Sequence, residues 1–282
     1  MTIDLHTHST ASDGTDSPAA LIHAAAAAGL DVVAITDHDT TRGWDEAEAA
    51  LTPGLRLVPG AELSCQFERA GQPPIAMHLL AYLFDAQNVA LDQRLAGVCR
   101  DRIERAQRMV QLMADDGLPI SWAEIYEAAD GGTIGRPHLA RALVSAGVVD
   151  SVNAAFAGPL SWRSPYYVPK GDVPVFEAVS LVRAAGGVCV FAHPRRRGRQ
   201  VDDDGVAELA AAGLHGIEVD HPDHDPQARL ELRTLAGDLG LVRTGSSDYH
   251  GSNKSTPIGA CTTAPEEFLA LLDAAGSSPI TA

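Results

Sequence analysis

The first fourteen residues include two histidines and an aspartate whose types and spacing suit metal binding or proton transfer. In the stretch "IDLHTHSTASDG", His6 and His8 lie two positions apart, and Asp13 follows five positions later. Residues two apart in a β-strand share one face, so both imidazoles can reach the same ion. This spacing indicates a metal site that begins in the first strand of the fold.

Ligand-type residues also follow apolar runs in the rest of the chain. They are Asp37, His38 and Asp39 after "VVAIT", Glu62 in "LVPGAELS", His78 in "IAMHLLAY", His193 in "VCVFAHP", Glu218 and His221 in "GIEVDHP", and Asp248 and His250 in "TGSSDYH". We expect each run to be a strand with its ligand at or near the carboxyl end. In parallel β/α barrels the active site is assembled at that face.

Each of these residues also has a simpler interpretation. A single His78 in an apolar strand is more often a core histidine than a ligand, and Asp13 in "SDG" is typical of a turn. Such interpretations would have to hold at about seven strand ends together. Imidazole and carboxylate ligands without thiolate suit Zn, Mn or Fe. One mononuclear site needs three or four protein ligands, and about nine are present here, so we expect two or three ions.

Short β-type runs alternate with alanine-rich amphipathic runs over most of the chain. The predicted strands are Ile3–Ser9, Val32–Thr36, Leu55–Phe67, Ile75–Phe84, Val188–Ala192, Gly216–Val219 and Leu241–Thr244. The predicted helices among them are Pro18–Ala28, Gly43–Leu51, Val173–Ala185, Asp203–Ala212 and Asp225–Leu239. This alternation predicts an α/β fold with a mainly parallel sheet, most simply a barrel.

The alternation stops between about residues 90 and 168, where all the runs are helical. The predicted helices there are Ala90–Ala114, Ser121–Ala129, Pro137–Ala146 and Ser151–Phe156. Because the β/α pattern then resumes, we expect a helical insertion in one barrel rather than a tandem domain. The predicted division is a first barrel part at 1–92, an insertion that caps the substrate at 93–167, and a second barrel part at 168–282.

The composition is typical of a globular protein and disfavours two classes of partner. The 282 residues have a formal charge of −16, which disfavours binding to duplex nucleic acid. No apolar stretch approaches the ~18 residues of a membrane span, and the N-terminal sequence does not resemble a signal peptide. The four cysteines are far apart and form no CxxC pair, which favours reduced thiols in a cytoplasmic protein.

Several of these segments together resemble the motifs of a known family. "DLHTHSTASDGT", "ITDHDTTRG", "PGAELS", "FAHP" and "GSSDYHG" are similar, in order, to motifs of the PHP (polymerase and histidinol phosphatase) family of metal-dependent phosphoesterases. The resemblance implies a distorted seven-stranded β/α (TIM-like) barrel with a trinuclear metal centre. The implied ligands are His6, His8, Glu62 and Asp248 for one ion, Asp13, His38 and His250 for a second, and Glu62 (bridging), His78 and His193 for a third. None of these positions departs from the pattern, which favours an active enzyme over a metal-bound binding module.

One branch of the family is especially similar. The insertion and the segment "TIGRPHLARALV" resemble bacterial nucleoside 3',5'-bisphosphate phosphatases, which are also linked to 5'-3' trimming of short RNA. The resemblance implies that Arg136 and His138 bind substrate phosphate, and a guanidinium suits that contact. The alternative is that Arg136 caps the following helix. Lys170 is a weaker candidate for phosphate binding. The run "RRRGR" is either a solvated loop or a phosphate-steering segment, and it contains Arg195, Arg196, Arg197 and Arg199.

The expected reaction is hydrolysis of a phosphomonoester by a hydroxide that bridges two metal ions. Metal binding makes this nucleophile available because it lowers the pKa of water from ~15.7 to near 7. His221 is not assigned to any of the three metal ions, and it is a candidate substrate contact and general acid. The expected cofactors are two or three Mn, Fe or Zn ions. The expected substrate is a nucleotide bisphosphate or a short oligonucleotide. We expect the protein to be a monomer. The alternative functions are a 5'-3' exonuclease on short RNA or oligonucleotides and a histidinol-phosphate phosphatase.

Overall fold

The structure is a computed structural model that describes residues 1–195 and 200–282. Its strands are β1 Ile3–Asp4, β2 Val32–Ile35, β3 Arg56–Phe67, β4 Ile75–Tyr82, β5 Val173–Pro174, β6 Val188–Ala192, β7 Gly216–Asp220, β8 Val242–Gly245 and β9 Ile280–Thr281. Its α-helices are α1 Pro18–Ala27, α2 Trp44–Ala49, α3 Val89–Asp115, α4 Trp122–Ala128, α5 Arg136–Ser145, α6 Val152–Ala157, α7 Val175–Ala184, α8 Asp203–Ala212, α9 Pro226–Leu239 and α10 Pro265–Ala274.

Seven of the strands form a sheet that nearly closes on itself. Their order is β1-β2-β3-β4-β6-β7-β8, and the short strands β5 and β9 pair with β3 beside this path. A parallel bridge between Thr7 and Tyr249 joins the segments that follow β1 and β8, which are the two edges of the sheet. The fold is therefore the predicted α/β barrel of seven strands.

The sheet is mainly parallel as predicted, but β4 is antiparallel to both of its neighbours. Only residues 68–74 join β3 to β4, and this link is too short for the crossover that parallel neighbours need. His78 consequently lies near the beginning of β4 and not at its carboxyl end. The register pairs His78 with Ser64 on β3 and with Ala192 on β6. The reversed strand thus brings His78 to the end of the barrel at which β6 finishes.

The first strand is also shorter than predicted. It covers two residues, and Thr7 adds one isolated bridge. Beyond that point the chain leaves the sheet and is held by isolated hydrogen bonds. In one of them the amide N–H of His8 donates to the carbonyl of Tyr249 at 2.8 Å. His6 and His8 therefore lie at the mouth of the barrel, between its first and last strands.

The bounds of α9 follow from local chemistry that is visible in the sequence. The Asp225 carboxylate accepts a hydrogen bond from the amide of Ala228 at 2.8 Å, and Pro226 occupies the first helical position. Gly240 ends the helix with a φ of 65°, a left-handed conformation that glycine adopts without strain. This helix begins one residue after the predicted start and ends where predicted.

The helices α3–α6 enclose a hydrophobic cluster of their own beside the barrel. Met109 and Leu139 are fully buried in it. The first turns of α3 pack differently, because Leu91 and Val98 belong to the cluster that also contains barrel strands. Helix α3 therefore runs from the barrel core into the helical insertion. The boundaries at residues 93 and 167 stay a prediction.

Helix α10 and the strands β5 and β9 are missing from the prediction. Helix α10 buries Phe268 and Leu271 in the cluster inside the barrel. Its sequence carries start signals, since Pro265 stands at the first position and two acidic residues follow.

Two expectations from the composition can be compared with the structure. All four cysteines are free of disulfides. No described helix, including the 27-residue α3, is long and apolar enough to cross a membrane.

Candidate metal centre

The first group of possible metal ligands gathers four side chains at the mouth of the barrel. The Nε2 atoms of His6 and His8 are 3.0 Å apart. Both nitrogens face Oε2 of Glu62, at 3.3 and 3.2 Å, and Oδ1 of Asp248, at 3.6 and 3.5 Å. These are the four residues that the family resemblance implies for one ion.

The second group surrounds the carboxylate of Asp13. Its Oδ2 lies 3.7 Å from Nε2 of His38, and its Oδ1 lies 3.3 Å from Nε2 of His250. Nδ1 of His8 is 3.9 Å from the same Oδ1. The structure thus brings the three residues of the second predicted shell together and places His8 between the first group and the second.

The third group shows why Glu62 is central to the site. Its Oε1 lies 2.6 Å from Nδ1 of His78 and 2.9 Å from Nε2 of His193. Its other oxygen, Oε2, lies 3.0 Å from Nδ1 of His38 as well as close to the first group. One buried carboxylate therefore faces imidazoles of all three predicted shells, and its role as a bridge between two ions stays a prediction.

Three residues of the site have left-handed backbone conformations that non-glycine residues rarely adopt. The φ angles are 34° at His193, 50° at Asp248 and 55° at Asp39. Each such conformation costs on the order of 1–3 kcal/mol and persists only where surrounding contacts enforce it. The turns after β2, β6 and β8 are thus held in strained shapes at the points where they present ligands.

Glu218 lies behind the ligands and fixes two of them. Its Oε1 is 3.2 Å from Nδ1 of His6 and accepts a hydrogen bond from the Ser246 hydroxyl, while its Oε2 accepts from the backbone N–H of His193 at 2.6 Å. When Nδ1 of His6 donates to Glu218, the lone pair of Nε2 points toward the other ligands. A carboxylate behind a histidine commonly orients metal-binding imidazoles in this way.

Asp248 is oriented from its other oxygen. Its Oδ2 contacts Nε2 of His221 at 3.3 Å and forms an ion pair with Lys254. Nδ1 of His221 accepts a hydrogen bond from the amide of Asp223 at 3.0 Å, so Nε2 carries the proton and donates to Asp248. These two contacts turn Oδ1 of Asp248 toward His6 and His8. The structure places His221 as a buried support for this ligand, and its role as general acid stays a prediction.

Burial disfavours the charged forms of His6, His8 and Glu62, but neighbouring charges outweigh its effect. Burial alone would lower the pKa of His6, but the carboxylates of Glu62, Asp248 and Glu218 outweigh it and raise this pKa well above its ordinary value. Hydrogen bonds to Asp248 and Glu62 likewise outweigh burial and raise the pKa of His8 to about 9. The imidazoles in turn overcome the effect of burial on Glu62 and hold the pKa of its carboxyl well below the usual range.

Two other imidazoles of the centre remain neutral. Burial lowers the pKa of His193 to about 4 and lowers the pKa of His38 well below its ordinary value. A neutral imidazole offers a lone pair, which is the form that binds a metal ion.

The donors present fit divalent ions. The buried Nδ1 of His38 makes no hydrogen bond although it lies 3.0 Å from Oε2 of Glu62, and the Nε2 atoms of His6 and His8 point at each other. A cation between such atoms would satisfy all of them at once. In the described residues four groups of three or four donors have all their ligand atoms within 4.8 Å of one another. Imidazole nitrogen and carboxylate oxygen form the donor set that Zn, Mn and Fe accept.

A cavity of about 1400 Å³ opens above this cluster. Its barrel side is formed by ligand residues, among them Asp13, Glu62 and His193. The cationic residues that line it are Arg102, Arg105, Arg136, Lys170 and Lys254. The cavity therefore joins candidate metal sites to a positively charged wall, although the chain as a whole is strongly acidic.

Two of the predicted phosphate contacts lie in this cavity and one lies beneath its wall. Arg136 and Lys170 both line it. His138 is buried in the first turn of α5, where its Nδ1 accepts a hydrogen bond from the amide of Gly135 at 3.2 Å. His138 is absent from the residues that line the cavity, so its direct contact with a phosphate stays a prediction.

Arg195 lies apart from the cavity. Its guanidinium pairs with Asp203 at the beginning of α8 and donates to the carbonyl of Val201 at 3.2 Å. Arg196, Arg197 and Arg199 fall outside the described residues. A contact between the "RRRGR" run and substrate stays a prediction.

Sequence reasoning missed Arg102, Arg105 and Lys254. The two arginines belong to the long polar helix α3, where charged residues usually form a solvated face. Their spacing of three is the one available signal, because it places both on the same side of the helix. Lys254 stands in the loop after β8, and its sequence context gives no comparable signal.

A barrel whose mouth gathers imidazoles and carboxylates, beneath a cavity with a cationic wall, defines a metal-dependent phosphoesterase. A family model for the PHP domain matches residues 4–120. The chain is 33% identical over 251 residues to a 5'-3' exoribonuclease of Haemophilus influenzae, covering 88% of this chain and 89% of that protein. It is also 33% identical over 259 residues to a 3',5'-nucleoside bisphosphate phosphatase of Chromobacterium violaceum, covering 88% and 87%.

A solved structure is similar over nearly the whole chain. It is described as a metal-dependent phosphoesterase from Bifidobacterium adolescentis, with 36% sequence identity, a TM-score of 0.89, and coverage of 98% of this chain and 96% of that one. The chain belongs to the PHP family, and it is a metal-dependent hydrolase of phosphoester bonds.

Proposed function

We propose that the protein removes the 3'-phosphate from nucleoside 3',5'-bisphosphates. The observation that carries the proposal is that one cavity joins the candidate metal ligands to a cationic wall. A substrate with two phosphates matches this cavity, because one phosphate can reach the ligands while the other meets the wall. The relative from Chromobacterium violaceum, named for this activity, supports the same substrate.

The proposed ligand shells follow the three groups of donors. They are His6, His8, Glu62 and Asp248; Asp13, His38 and His250; and Glu62, His78 and His193. We propose two or three Mn, Fe or Zn ions in these shells, with Glu62 as the bridge. Divalent ions in such a site activate water as a nucleophile and offset the negative charge on the phosphoryl oxygens.

The wall of the cavity suits the second phosphate because its positive charges are crowded. Burial and the neighbouring charge of Arg136 lower the pKa of Arg105, and burial and the charge of Arg102 lower that of Lys170 in spite of its ion pair with Asp172 at 2.8 Å. Backbone carbonyls hold the two outer guanidinium groups: Arg105 donates to Val168 at 2.7 Å and Arg136 to Leu160 at 3.3 Å. A bound phosphate would relieve this repulsion and accept charge-assisted hydrogen bonds.

Aromatic side chains beside the same wall suit a nucleoside. Phe156 and Tyr167 line the cavity, and the guanidinium carbons of Arg136 and Arg105 lie 5.3 and 5.7 Å from their ring centres. Apolar faces next to a few polar groups are typical of small-molecule sites. A base or ribose could pack against these rings while a phosphate contacts the neighbouring arginines.

The proposed role of the helical insertion follows from the origin of these residues. Arg105, Arg136 and Phe156 belong to α3, α5 and α6, whereas the candidate ligands belong to the barrel. We therefore propose that residues 93–167 cap the substrate, between barrel parts at 1–92 and 168–282.

A second candidate function is 5'-3' hydrolysis of short RNA. The relative from Haemophilus influenzae is named a 5'-3' exoribonuclease. In this function the cationic wall would hold the 5'-phosphate of the oligomer, and the first phosphodiester would lie at the ligands. Histidinol phosphate, the third candidate, has one phosphate and makes no use of the wall.

Hydrolysis assays with Mn²⁺-loaded protein test the proposal, with phosphate release measured for the monoesters and mononucleotide release measured for the RNA. The substrates are adenosine 3',5'-bisphosphate, adenosine 3'-monophosphate, a 5'-phosphorylated RNA pentamer and histidinol phosphate. The proposal expects the highest kcat/KM for the bisphosphate and a loss of at least tenfold for the monophosphate, which lacks the second phosphate. A higher kcat/KM for the pentamer would favour the exonuclease, and equal values for the first two substrates would contradict a role for the wall.

A further inference from the structure

Arg102 reaches from the helical insertion into the barrel and is buried there. Its Nε lies 2.7 Å from Oδ2 of Asp39, and its Nη2 donates to Oγ of Ser64 at 2.6 Å. Ser64 in turn donates to Asp39 twice, from its amide at 2.7 Å and from its hydroxyl at 2.8 Å. The side chain of Asp39 is fully buried, and that of Arg102 is 10% exposed. The three side chains form a closed triangle of hydrogen bonds.

This triangle adjoins three of the proposed metal ligands. Asp39 directly follows His38, and its own amide donates to the carbonyl of Glu62 at 3.0 Å. Ser64 stands two positions after Glu62 on β3, and the register pairs it with His78 on β4. The triangle therefore fixes the backbone from which His38, Glu62 and His78 extend.

The turn at Asp39 needs such a restraint. A φ of 55° is a strained conformation for an aspartate, and the chain keeps it only while its side chain is held. Without Arg102 the carboxylate loses its nearest cation, and Ser64 loses a donor.

We infer that Arg102 is a positioning residue. It holds the turn at Asp39 and thereby orients the His38 side chain toward the proposed metal ions. Through it the helical insertion takes part in forming the metal centre as well as the substrate wall. The inference rests on the ligand set of the proposed function. Arg102 lines the same cavity as Arg105 and Arg136, but its Nε and Nη2 are committed to Asp39 and Ser64. Its loss is therefore expected to weaken metal binding rather than substrate binding.

The experiment compares Arg102→Met with wild-type protein in the full-length chain. Mn²⁺ affinity is measured by isothermal titration, and kcat and KM are measured with adenosine 3',5'-bisphosphate over a range of Mn²⁺ concentrations. We expect Mn²⁺ affinity to fall roughly 10- to 100-fold, the range seen when a residue behind a metal ligand is lost. Excess Mn²⁺ should recover kcat, and KM for the substrate should change less than about threefold. Arg102→Lys, which keeps the charge near Asp39, should recover most of the Mn²⁺ affinity.

Two further arginines of α3 serve as controls. Arg94 is half-buried, pairs with Glu177 at 2.9 Å and does not line the cavity, so Arg94→Met should leave affinity and rates unchanged. Arg105→Met should raise KM and leave Mn²⁺ affinity within about twofold of wild type. If Arg102→Met does not fold, Ser64→Ala removes one corner of the triangle and should still weaken Mn²⁺ binding at least about twofold.

Unchanged Mn²⁺ affinity in Arg102→Met or, if that variant is unfolded, in Ser64→Ala would overturn the inference. So would a raised KM with normal metal affinity, because Arg102 would then be a substrate contact. The titration does not depend on turnover. A wild-type protein that hydrolyses no bisphosphate would therefore refute the proposed function and leave the metal-binding comparison valid.

Discussion

Arg136→Ala tests whether the cationic wall binds a second phosphate. Arg136 stands at the first position of α5 and lines the cavity above the candidate ligands. A hydrogen bond between charged groups contributes about 1.5–3 kcal/mol. Its loss corresponds to a fall of roughly 10- to 150-fold in kcat/KM, since 1.4 kcal/mol is a factor of ten. Adenosine 3',5'-bisphosphate should show this fall, and p-nitrophenyl phosphate, which has one phosphate, should change less than about twofold.

The same variant also loses contacts inside the protein, and these must be separated from the effect on the substrate. Arg136 donates to the carbonyl of Leu160 and lies over the ring of Phe156. The melting temperatures of Arg136→Ala and wild-type protein are therefore measured first. The kinetic assays are then run well below the lower of these two temperatures. Arg136→Lys should give an intermediate loss, because an ammonium keeps the charge but lacks the bidentate geometry of guanidinium. Arg163→Ala, which removes a loop arginine stacked on Trp162, is the control and should not affect either substrate.

Equal losses on the two substrates would refute the reasoning, since p-nitrophenyl phosphate has no second phosphate to lose. An unchanged kcat/KM for the bisphosphate would refute it as well. In the first case Arg136 would act at the reacting phosphate or on the fold, and in the second the wall would not contact the substrate.

Three other perturbations have defined outcomes. Glu218→Gln removes the charge behind His6, and isothermal titration should show divalent-ion affinity roughly 10- to 100-fold weaker; wild-type affinity would contradict the orienting role of Glu218. Chelation should lower the melting temperature and added Mn²⁺ should restore it, because a ligand at 100 times its Kd stabilises by about 2.7 kcal/mol; a melting curve insensitive to chelator would oppose this. Burial lowers the pKa of His138 to about 4, so the unfolded chain binds its proton near pH 6.5 and the folded protein only near pH 4. The free energy of unfolding should therefore fall by up to about 3 kcal/mol between these values as pH decreases, with a smaller fall in His138→Asn by urea titration; equal slopes would exclude His138 as the source.

The sequence predicted the strands that carry the candidate ligands, because each apolar run is followed by an imidazole or carboxylate. His78 shows the limit of that reasoning. The run "IAMHLLAY" predicts a strand but not its orientation in the sheet, because the same hydrophobic pattern occurs in parallel and antiparallel strands. The short link after β3 makes β4 antiparallel, and this reversal brings His78 to the mouth of the barrel.

The cationic wall was predicted only in part. Arg136 and Lys170 were identified from resemblance and local context, whereas Arg102 and Arg105 lie in the middle of a helix whose charged residues look solvent-exposed in sequence. Their burial arises from how the insertion packs on the barrel, which is a tertiary contact without a local signal.

The most direct test of the central claim is elemental analysis of the purified protein together with phosphate release from adenosine 3',5'-bisphosphate. If the barrel mouth is a metal centre, wild-type protein contains two or three divalent ions per chain, and His38→Ala and Asp248→Ala each lose bound metal and hydrolysis together. Normal metal content and normal rates in these two variants would contradict the account.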